Sequence, residues 1–75
     1  MIQELERVAL TVDLPAYQLQ DGDMGTVVDI TSDGTEYTIE FFTLDGETFA
    51  VVPVGATQIR RVGGHEIAHA RVMSA

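Results

Sequence analysis

Cysteine and lysine are absent from this 75-residue chain, and each absence excludes a class of site. Without cysteine the protein has no disulfide and no cysteine-based zinc knuckle, so its stability must come from a packed core or from a partner subunit. Without lysine it has no phosphate-binding loop of the Gly-x-x-x-x-Gly-Lys type. We therefore expect one small domain over residues 1–75 without a bound cofactor, for which assembly into a homo-oligomer is one route to stability.

Positive charge is scarce, since four arginines stand against twelve acidic residues and give a formal net charge of −8. Binding to nucleic acid needs several basic side chains that neutralise phosphates, so this charge makes nucleic acid an unfavourable partner. Three interpretations of the acidity remain. It forms a solvated surface that keeps the protein soluble, it docks to a basic protein, or it imitates a nucleic-acid backbone.

Long hydrophobic runs are also missing. No apolar stretch approaches the roughly 18 residues that a membrane-spanning helix needs. Residues 1–10 have neither the basic region nor the continuous apolar region of a secretory signal. The sequence therefore predicts a cytoplasmic protein without a membrane segment.

Short segments rich in Val, Ile, Phe, Tyr and Thr are present instead, and glycine turns separate them, with Asp-Gly pairs at residues 33–34 and 45–46. This pattern is typical of antiparallel hairpins. A long loop over 13–23 follows the first segment, because Pro15 cannot pair in a ladder, and a tight helical turn over 54–58 precedes the last. The predicted strands cover residues 7–12, 25–31, 36–43, 48–54 and 59–62.

The alternation of side chains predicts which strand faces are buried. In the third strand Tyr37, Ile39 and Phe41 face the core, and Phe42 breaks the pattern. A β-bulge would rotate Phe42 into the core, whereas an exposed Phe42 would mark an interface. The fourth strand is apolar at nearly every position, which predicts a central strand or one covered on both faces, with its ladder ending near Pro53. The second strand is expected to alternate regularly, with one face formed by Thr26, Val28 and Ile30.

The second strand also carries a resemblance. Gly22, followed by Gly25-Thr-Val-Val-Asp-Ile30, resembles the KOW type of SH3-like barrel, in which a glycine permits a tight entry into a Gly-x-Val-x-x-Ile strand. Nearly the whole chain is similar to a family of small uncharacterised bacterial proteins catalogued as a domain of unknown function. The stretches that carry this similarity include Glu4-Leu-Glu-Arg-Val, Asp13-Leu-Pro, Ala50-Val-Val and Glu66-Ile-Ala-His-Ala-Arg.

Both the five predicted strands and the resemblance imply an all-β fold. We expect a small five-stranded antiparallel SH3-like barrel over about residues 4–62, followed by a short C-terminal tail over residues 63–75. The resemblance implies no activity, cofactor or catalytic residue. KOW domains that bind RNA usually present basic loops, whereas the loops over 14–23 and 45–47 are acidic here.

The tail contains the pattern His-Glu-x-x-His, which in zinc hydrolases places two ligands and a base on one helix. Such a site needs a third protein ligand and a helix long enough to align both imidazoles. Here the pattern directly follows Gly63-Gly64, so we expect no metal site, and a weak zinc site at His65 and His69 is the remote alternative. Through Ile67, Ala68 and Val72 the tail either seals an open end of the barrel or pairs along its edge strand, and the competing expectation is that its last few residues are disordered.

We predict a non-catalytic protein–protein interaction module, not an enzyme, whose acidic loops steer it towards a basic partner protein. An antitoxin- or immunity-type role is the specific form of this hypothesis. The alternative is a KOW-like nucleic-acid-associated domain, which would need a basic patch assembled from all four arginines. The candidate contact residues are Tyr17, Phe42, Asp21, Asp23, Asp45 and Glu47, and the arginines of the alternative are Arg7, Arg60, Arg61 and Arg71.

Overall fold

The computed structural model of the protein describes residues 1–73, and all its regular secondary structure is β-strand apart from two single 3₁₀ turns. No helix in this part of the chain has the length and apolar character to cross a membrane. The first 3₁₀ turn spans Pro15–Tyr17 and the second spans Ala56–Gln58. The strands are β1 (Arg7–Leu10), β2 (Met24–Ile30), β3 (Glu36–Phe42), β4 (Thr48–Gly55) and β5 (Ile59–Arg61).

The five strands form one antiparallel sheet in the order β4-β3-β2-β1-β5. Strand pairing within residues 1–73 does not join β4 to β5, so the sheet is not closed by a ladder. The predicted all-β class, five strands and helical turn before the last strand are confirmed. Strand β1 is two residues shorter than predicted, because Thr11 leaves the ladder and its N–H donates to the Gln58 carbonyl oxygen (2.9 Å).

The central position predicted for β4 is wrong, because β4 lies at an edge of the sheet and, among the described residues, pairs only with β3. Val52 and Val54 are buried on its inner face, whereas Val51 and Pro53 on its other face are exposed. The ladder also continues past Pro53 to Gly55. β4 is therefore an edge strand that has apolar residues on both faces but only one covered face.

The free edge of β4 offers few backbone hydrogen bonds. The N–H of Gly55 donates to the Gln58 side-chain oxygen (2.8 Å) and so does not point at β3. In an antiparallel strand, residues whose backbone groups bond to the neighbouring strand alternate with residues whose backbone groups point to the opposite edge. The backbone of Pro53, two residues before Gly55, therefore also points to the free edge of β4. Proline has no N–H to donate. At Pro53 and Gly55, the free edge of β4 therefore has no N–H group available to pair with another strand.

The core is formed by the inner side chains of the sheet. Tyr37, Ile39 and Phe41 are buried, as the alternation in the third strand predicts. Burial of large aliphatic and aromatic side chains supplies the main stabilising free energy of a domain of this size. The buried cluster comprises Val8, Leu10, Leu19, Val27, Tyr37, Ile39, Phe41, Val52, Val54 and Ile59.

A β-bulge in β2 overturns the regular alternation expected for this strand. Val27 pairs with Ile39 and Asp29 pairs with Thr38, so Val28 is an extra residue in the ladder. The insertion exposes Val28, and it allows both Val27 and Ile30 to face the core. Thr26, Val28 and Ile30 therefore do not share one face.

A second irregularity lies where β3 meets β4, and it decides the position of Phe42. Phe41 pairs with Ala50 and Phe42 pairs with Thr48, so the extra residue is Phe49 on the opposite strand. A bulge in β4 turns Phe49 towards the core, where it is partly buried. Phe42 keeps its outward position and is 49 % exposed. The expectation that a bulge buries Phe42 is wrong, and the interpretation that leaves Phe42 exposed is confirmed.

Two turns share the pattern Thr-x-Asp-Gly, at residues 31–34 and 43–46. In each turn the glycine N–H donates to the threonine carbonyl oxygen, and the threonine hydroxyl donates to the aspartate carboxylate. In the first, the hydrogen bond from Thr31 lowers the pKa of Asp33, and Thr35 contributes further. Both glycines have a positive φ, 73° at Gly34 and 90° at Gly46, in the left-handed region that glycine adopts without steric cost.

We expect Gly34→Ala to lower the free energy of unfolding by about 1 kcal/mol, because an L-residue at this φ is strained. No atom of residues 1–73 lies within 4 Å of the position a Cβ would occupy, so backbone strain causes the loss. Urea denaturation followed by circular dichroism measures it. Gly34→Asn is the matched control, because asparagine tolerates the left-handed region, and we expect it to lose less. Equal losses for both variants would contradict this account.

Candidate functional site

The C-terminal segment, residues 63–73, lies against the outer side of the sheet although it has no strand or helix. One ion pair holds each end of it. Near the start, Glu66 accepts from Arg60 (2.9 Å) and from the backbone N–H of Gly63 (2.6 Å). Near the end, Arg71 donates to Asp23. Ile67, Ala68 and Val72 are exposed and residues 63–73 form no strand, so the prediction that these side chains seal an open end of the barrel or pair along its edge strand is wrong.

The guanidinium of Arg71 occupies a site built from the loop between β1 and β2. Its Nε donates to Asp23 Oδ1 (2.8 Å) and its Nη2 donates to Asp23 Oδ2 (2.5 Å). Nη2 also donates to the carbonyl oxygen of Gln18 (3.0 Å). We call these three acceptors the arginine seat. Bidentate pairing of this kind matches the planar fork of arginine and not the single ammonium of lysine.

The loop fixes the arginine seat through its own backbone. The N–H of Leu10 donates to the Asp23 carbonyl oxygen (2.9 Å), and the N–H of Gly22 donates to the Leu10 carbonyl oxygen (2.8 Å). Gln18 adopts a left-handed conformation with φ of 60°, which ends the first 3₁₀ turn. Asp23 Oδ2 also accepts the N–H of Gln20 (2.9 Å). These bonds present the Asp23 carboxylate and the Gln18 carbonyl oxygen in a fixed arrangement.

The pKa of Asp23 reports the balance of forces in the seat. Partial burial acts to raise this pKa, but the hydrogen bond from Arg71, the hydrogen bond from the Gln20 N–H and the charge of Arg71 together lower it. The side chains of Arg71 and Asp23 are only 28 % and 17 % exposed, so water screens the pair less than it screens a surface ion pair. Asp23 is therefore ionised and paired with Arg71.

A groove of about 480 Å³ lies between the C-terminal segment and the end of the sheet where β2 begins and β3 ends. Arg7, Thr43, His69 and Arg71 contribute polar groups to it. Its apolar lining comprises Leu19, Met24, Phe41, Phe42, Phe49 and Met73. Apolar lining with a few polar groups is the usual composition of a binding site.

A second cavity of about 500 Å³ lies on the other side of the C-terminal segment. Ala68 and His69 line both cavities, so the segment runs between them. Ala9 lies beneath it on the outer face of β1 and is buried, although it is not part of the core cluster. The C-terminal segment thus occupies the middle of a larger depression in the surface of the sheet.

The structure brings together some of the predicted contact residues and separates others. Phe42 lines the groove, and the turn that follows it carries exposed Leu44 together with Asp45 and Glu47. A hydrogen bond from Thr43 lowers the pKa of Asp45, so this carboxylate is ionised. Tyr17, which is 43 % exposed, and Asp21 lie in the loop between β1 and β2 and do not line the groove.

Three of the four arginines are paired with carboxylates. Salt bridges within residues 1–73 pair Arg60 with Glu66, Arg61 with Glu6 and Arg71 with Asp23, and they leave Arg7 without a carboxylate partner in this part of the chain. Each pair cancels positive charge that phosphate contacts would need.

The His-Glu-x-x-His pattern does not form the helix on which its zinc ligands would lie. Residues 64–65 form a turn and residues 66–69 have no regular secondary structure. The carboxylate of Glu66 is engaged by Arg60, whose hydrogen bond lowers the pKa of Glu66. Within the described residues, no three His, Cys, Asp or Glu side chains lie close enough together to hold a metal ion. His65 and His69 are therefore not arranged as they are in zinc hydrolases.

The sequence analysis missed two features of the site, and only one of them could not be recognised from the residues alone. The pair of Arg71 with Asp23 joins positions 48 residues apart, and no local pattern predicts such a contact. The repeated Thr-x-Asp-Gly pattern, in contrast, was visible in the sequence, and the hydrogen-bonding habits of threonine and aspartate in turns are its signal.

Comparison with known proteins gives one match. A family described as a domain of unknown function, DUF4926, matches residues 4–61. No curated protein and no solved structure matches the chain. The matched residues include all five strands and Asp23, whereas Arg71 and the rest of the C-terminal segment from residue 63 lie outside them. Because the match covers most of the chain, the protein belongs to the DUF4926 family.

Proposed function

We propose that the protein is a non-catalytic interaction module that binds a basic protein partner through the groove beside Phe42. The observation that carries the proposal is the exposure of Phe42. A half-exposed phenylalanine on the outer face of β3, next to an apolar groove, has apolar area that only a partner can remove from water. Aromatic side chains of this kind are frequent energetic centres of protein interfaces.

The charge of the surface around Phe42 indicates the chemistry of the partner. Asp45 and Glu47 follow Phe42 in the next turn, and the whole chain carries a net charge of −8. Negative charge at the rim of an apolar contact raises the association rate with a basic protein and repels acidic ones. An antitoxin- or immunity-type role, in which the basic partner is a toxin that this protein neutralises, is the specific form of the proposal.

A second proposal concerns the fold, in more detail than the open five-stranded sheet described above. We propose that the five strands form an SH3-like barrel of the KOW type, because the order β4-β3-β2-β1-β5 and the 3₁₀ turn between β4 and β5 are typical of SH3-like topology. The bulge at Val28 supports this, since bulges bend a strand and allow one sheet to curve around a core. An experimental structure that shows a flat sheet would contradict this proposal.

The binding proposal is tested with a partner that co-purifies in equal stoichiometry from the native cells. We expect Phe42→Ala to weaken its binding by about 30-fold or more, which corresponds to the 2 kcal/mol of a hot-spot residue. Tyr17→Ala is the matched control, because Tyr17 is similarly exposed but lies outside the groove, and we expect a change of less than about threefold. Isothermal titration calorimetry measures both affinities.

Equal effects of Phe42→Ala and Tyr17→Ala would contradict the proposed surface. Retention of the protein on immobilised nucleic acid at moderate salt, without a protein partner, would support the KOW-like alternative instead. Stoichiometric zinc in the purified protein would overturn the proposal in favour of a metal site at His65 and His69.

A further inference from the structure

We infer that the C-terminal segment occupies the binding site of the partner when the partner is absent. The partner then displaces it and inserts an extended arginine-containing segment into the same depression. This inference rests on the proposed function and names what its groove binds. The occupant is a segment of a basic protein whose arginine takes the place of Arg71 in the arginine seat.

The arginine seat selects for this occupant by its geometry. It offers two carboxylate oxygens and one carbonyl oxygen to a single guanidinium, at 2.5 to 3.0 Å. The Asp23 carboxylate is mostly buried, so it is unfavourable for the seat to stand empty. A partner that displaces Arg71 must therefore supply another guanidinium. The ammonium of lysine carries its donors on a single nitrogen and does not reproduce the planar, bidentate geometry of the guanidinium.

The C-terminal segment is held in a way that permits displacement. Residues 67–73 make no backbone-to-backbone hydrogen bond within the described part of the chain. Ile67 and Val72 are 96 % and 93 % exposed and add almost no buried area. The segment is retained mainly by the pairs of Glu66 with Arg60 and of Arg71 with Asp23. A competing peptide therefore has few contacts to break.

The arginine seat is continuous with the groove of the proposed function. Asp23 and Arg71 line the same groove as Met24 and Phe42. One extended segment can therefore place an arginine on Asp23 and an apolar side chain on Phe42. The net negative charge favours the approach of such a segment.

The test uses the full-length chain with Arg71→Ala, which empties the seat, and a capped peptide with the sequence of residues 66–73. Nuclear magnetic resonance titration follows the backbone amides of Gln18 and Asp23. We expect the peptide to bind this variant at least threefold more tightly than it binds the wild type. In the wild type the tethered Arg71 competes at an effective concentration of roughly millimolar.

Two matched controls isolate the seat. The same peptide carrying Arg71→Lys keeps the charge, and we expect it to bind at least threefold more weakly. Adding Asp23→Asn to the Arg71→Ala protein removes the carboxylate, and we expect binding of the arginine peptide to be lost. Equal binding of the two peptides, or binding that survives Asp23→Asn, would overturn the inference.

The failure of this inference is distinguishable from failure of the proposed function. Phe42→Ala is measured against the intact partner and does not depend on the seat. If the peptide does not bind while Phe42→Ala still weakens binding of the partner, the groove is the interface and the C-terminal segment does not occupy the partner's binding site. A wild-type dimer in sedimentation, together with an experimental structure in which Arg71 of one copy pairs with Asp23 of the other, would overturn the inference, because the occupant would then be a second copy of the chain.

Discussion

Replacing Gly25 with alanine is expected to lower the free energy of unfolding by about 2 kcal/mol. Gly25 is buried in β2, and a Cβ there would lie 2.5 Å from Ile39 Cγ2 and 2.8 Å from the Glu40 carbonyl oxygen. Ile39 is fully buried and the carbonyl belongs to the backbone of β3, so neither neighbour can move freely. Overpacking costs about 1–3 kcal/mol or more, and the lower entropy of the unfolded alanine chain offsets only part of it.

Thermal denaturation followed by circular dichroism checks this expectation. For a domain of this length, 2 kcal/mol corresponds to a decrease in Tm of roughly 8–16 °C. Gly64→Ala is the matched control, because no atom in the described part of the chain lies within 4 Å of its Cβ position and its φ is not positive. If Gly25→Ala unfolds at the same temperature as Gly64→Ala, the close contact between β2 and β3 is not required for the fold.

Asp23→Asn is expected to lower the free energy of unfolding by about 1.5 kcal/mol at neutral pH, because it removes the charge that binds Arg71. The pKa of Asp23 is lowered in the folded protein. Its stabilising effect is therefore fully present above the ordinary pKa of an aspartate, about 4, and is lost as the pH falls through the lower folded value. Wild type and variant should differ in stability at neutral pH and converge in acid.

Urea denaturation of both proteins across this pH range measures the difference. Lowered pKa values of Glu6, Glu66, Asp33 and Asp45 make the whole protein less stable in acid, so the wild-type curve alone does not isolate Asp23. Asp21→Asn is the control in the same loop, with an expected change within about 0.5 kcal/mol. A double-mutant cycle with Arg71→Ala should give a coupling of about 1 kcal/mol. A coupling near zero would contradict the stabilising pair.

Local chemistry made much of the fold predictable. The alternation of Tyr37, Ile39 and Phe41 identified the inner face of β3, because the side-chain period of a strand is fixed. The Asp-Gly pairs located the turns for a similar reason, since the conformation belongs to the glycine itself. The start and end of β2 and β3 were therefore found to within one residue.

Features that depend on distant residues were not predictable. The bulge at Val28 and the bulge opposite Phe42 are shifts in the register between two paired strands. The sequence of one strand alone does not determine that register. The edge position of β4 was missed because apolar composition does not distinguish a strand covered twice from one that presents Val51 to solvent. The pairing of Arg71 with the arginine seat was missed because Arg71 and Asp23 are 48 residues apart in the sequence, and because one acceptor of the seat, the Gln18 carbonyl oxygen, belongs to the backbone.

The construction of the β4 edge has a consequence for a small acidic protein at high concentration. Fibril growth needs a strand whose N–H and C=O groups form a template for the next molecule. Proline at position 53 and the Gln58 side chain on the N–H of Gly55 interrupt that template at two successive outward positions. The most apolar strand of the molecule is thus a poor seed for polymerisation.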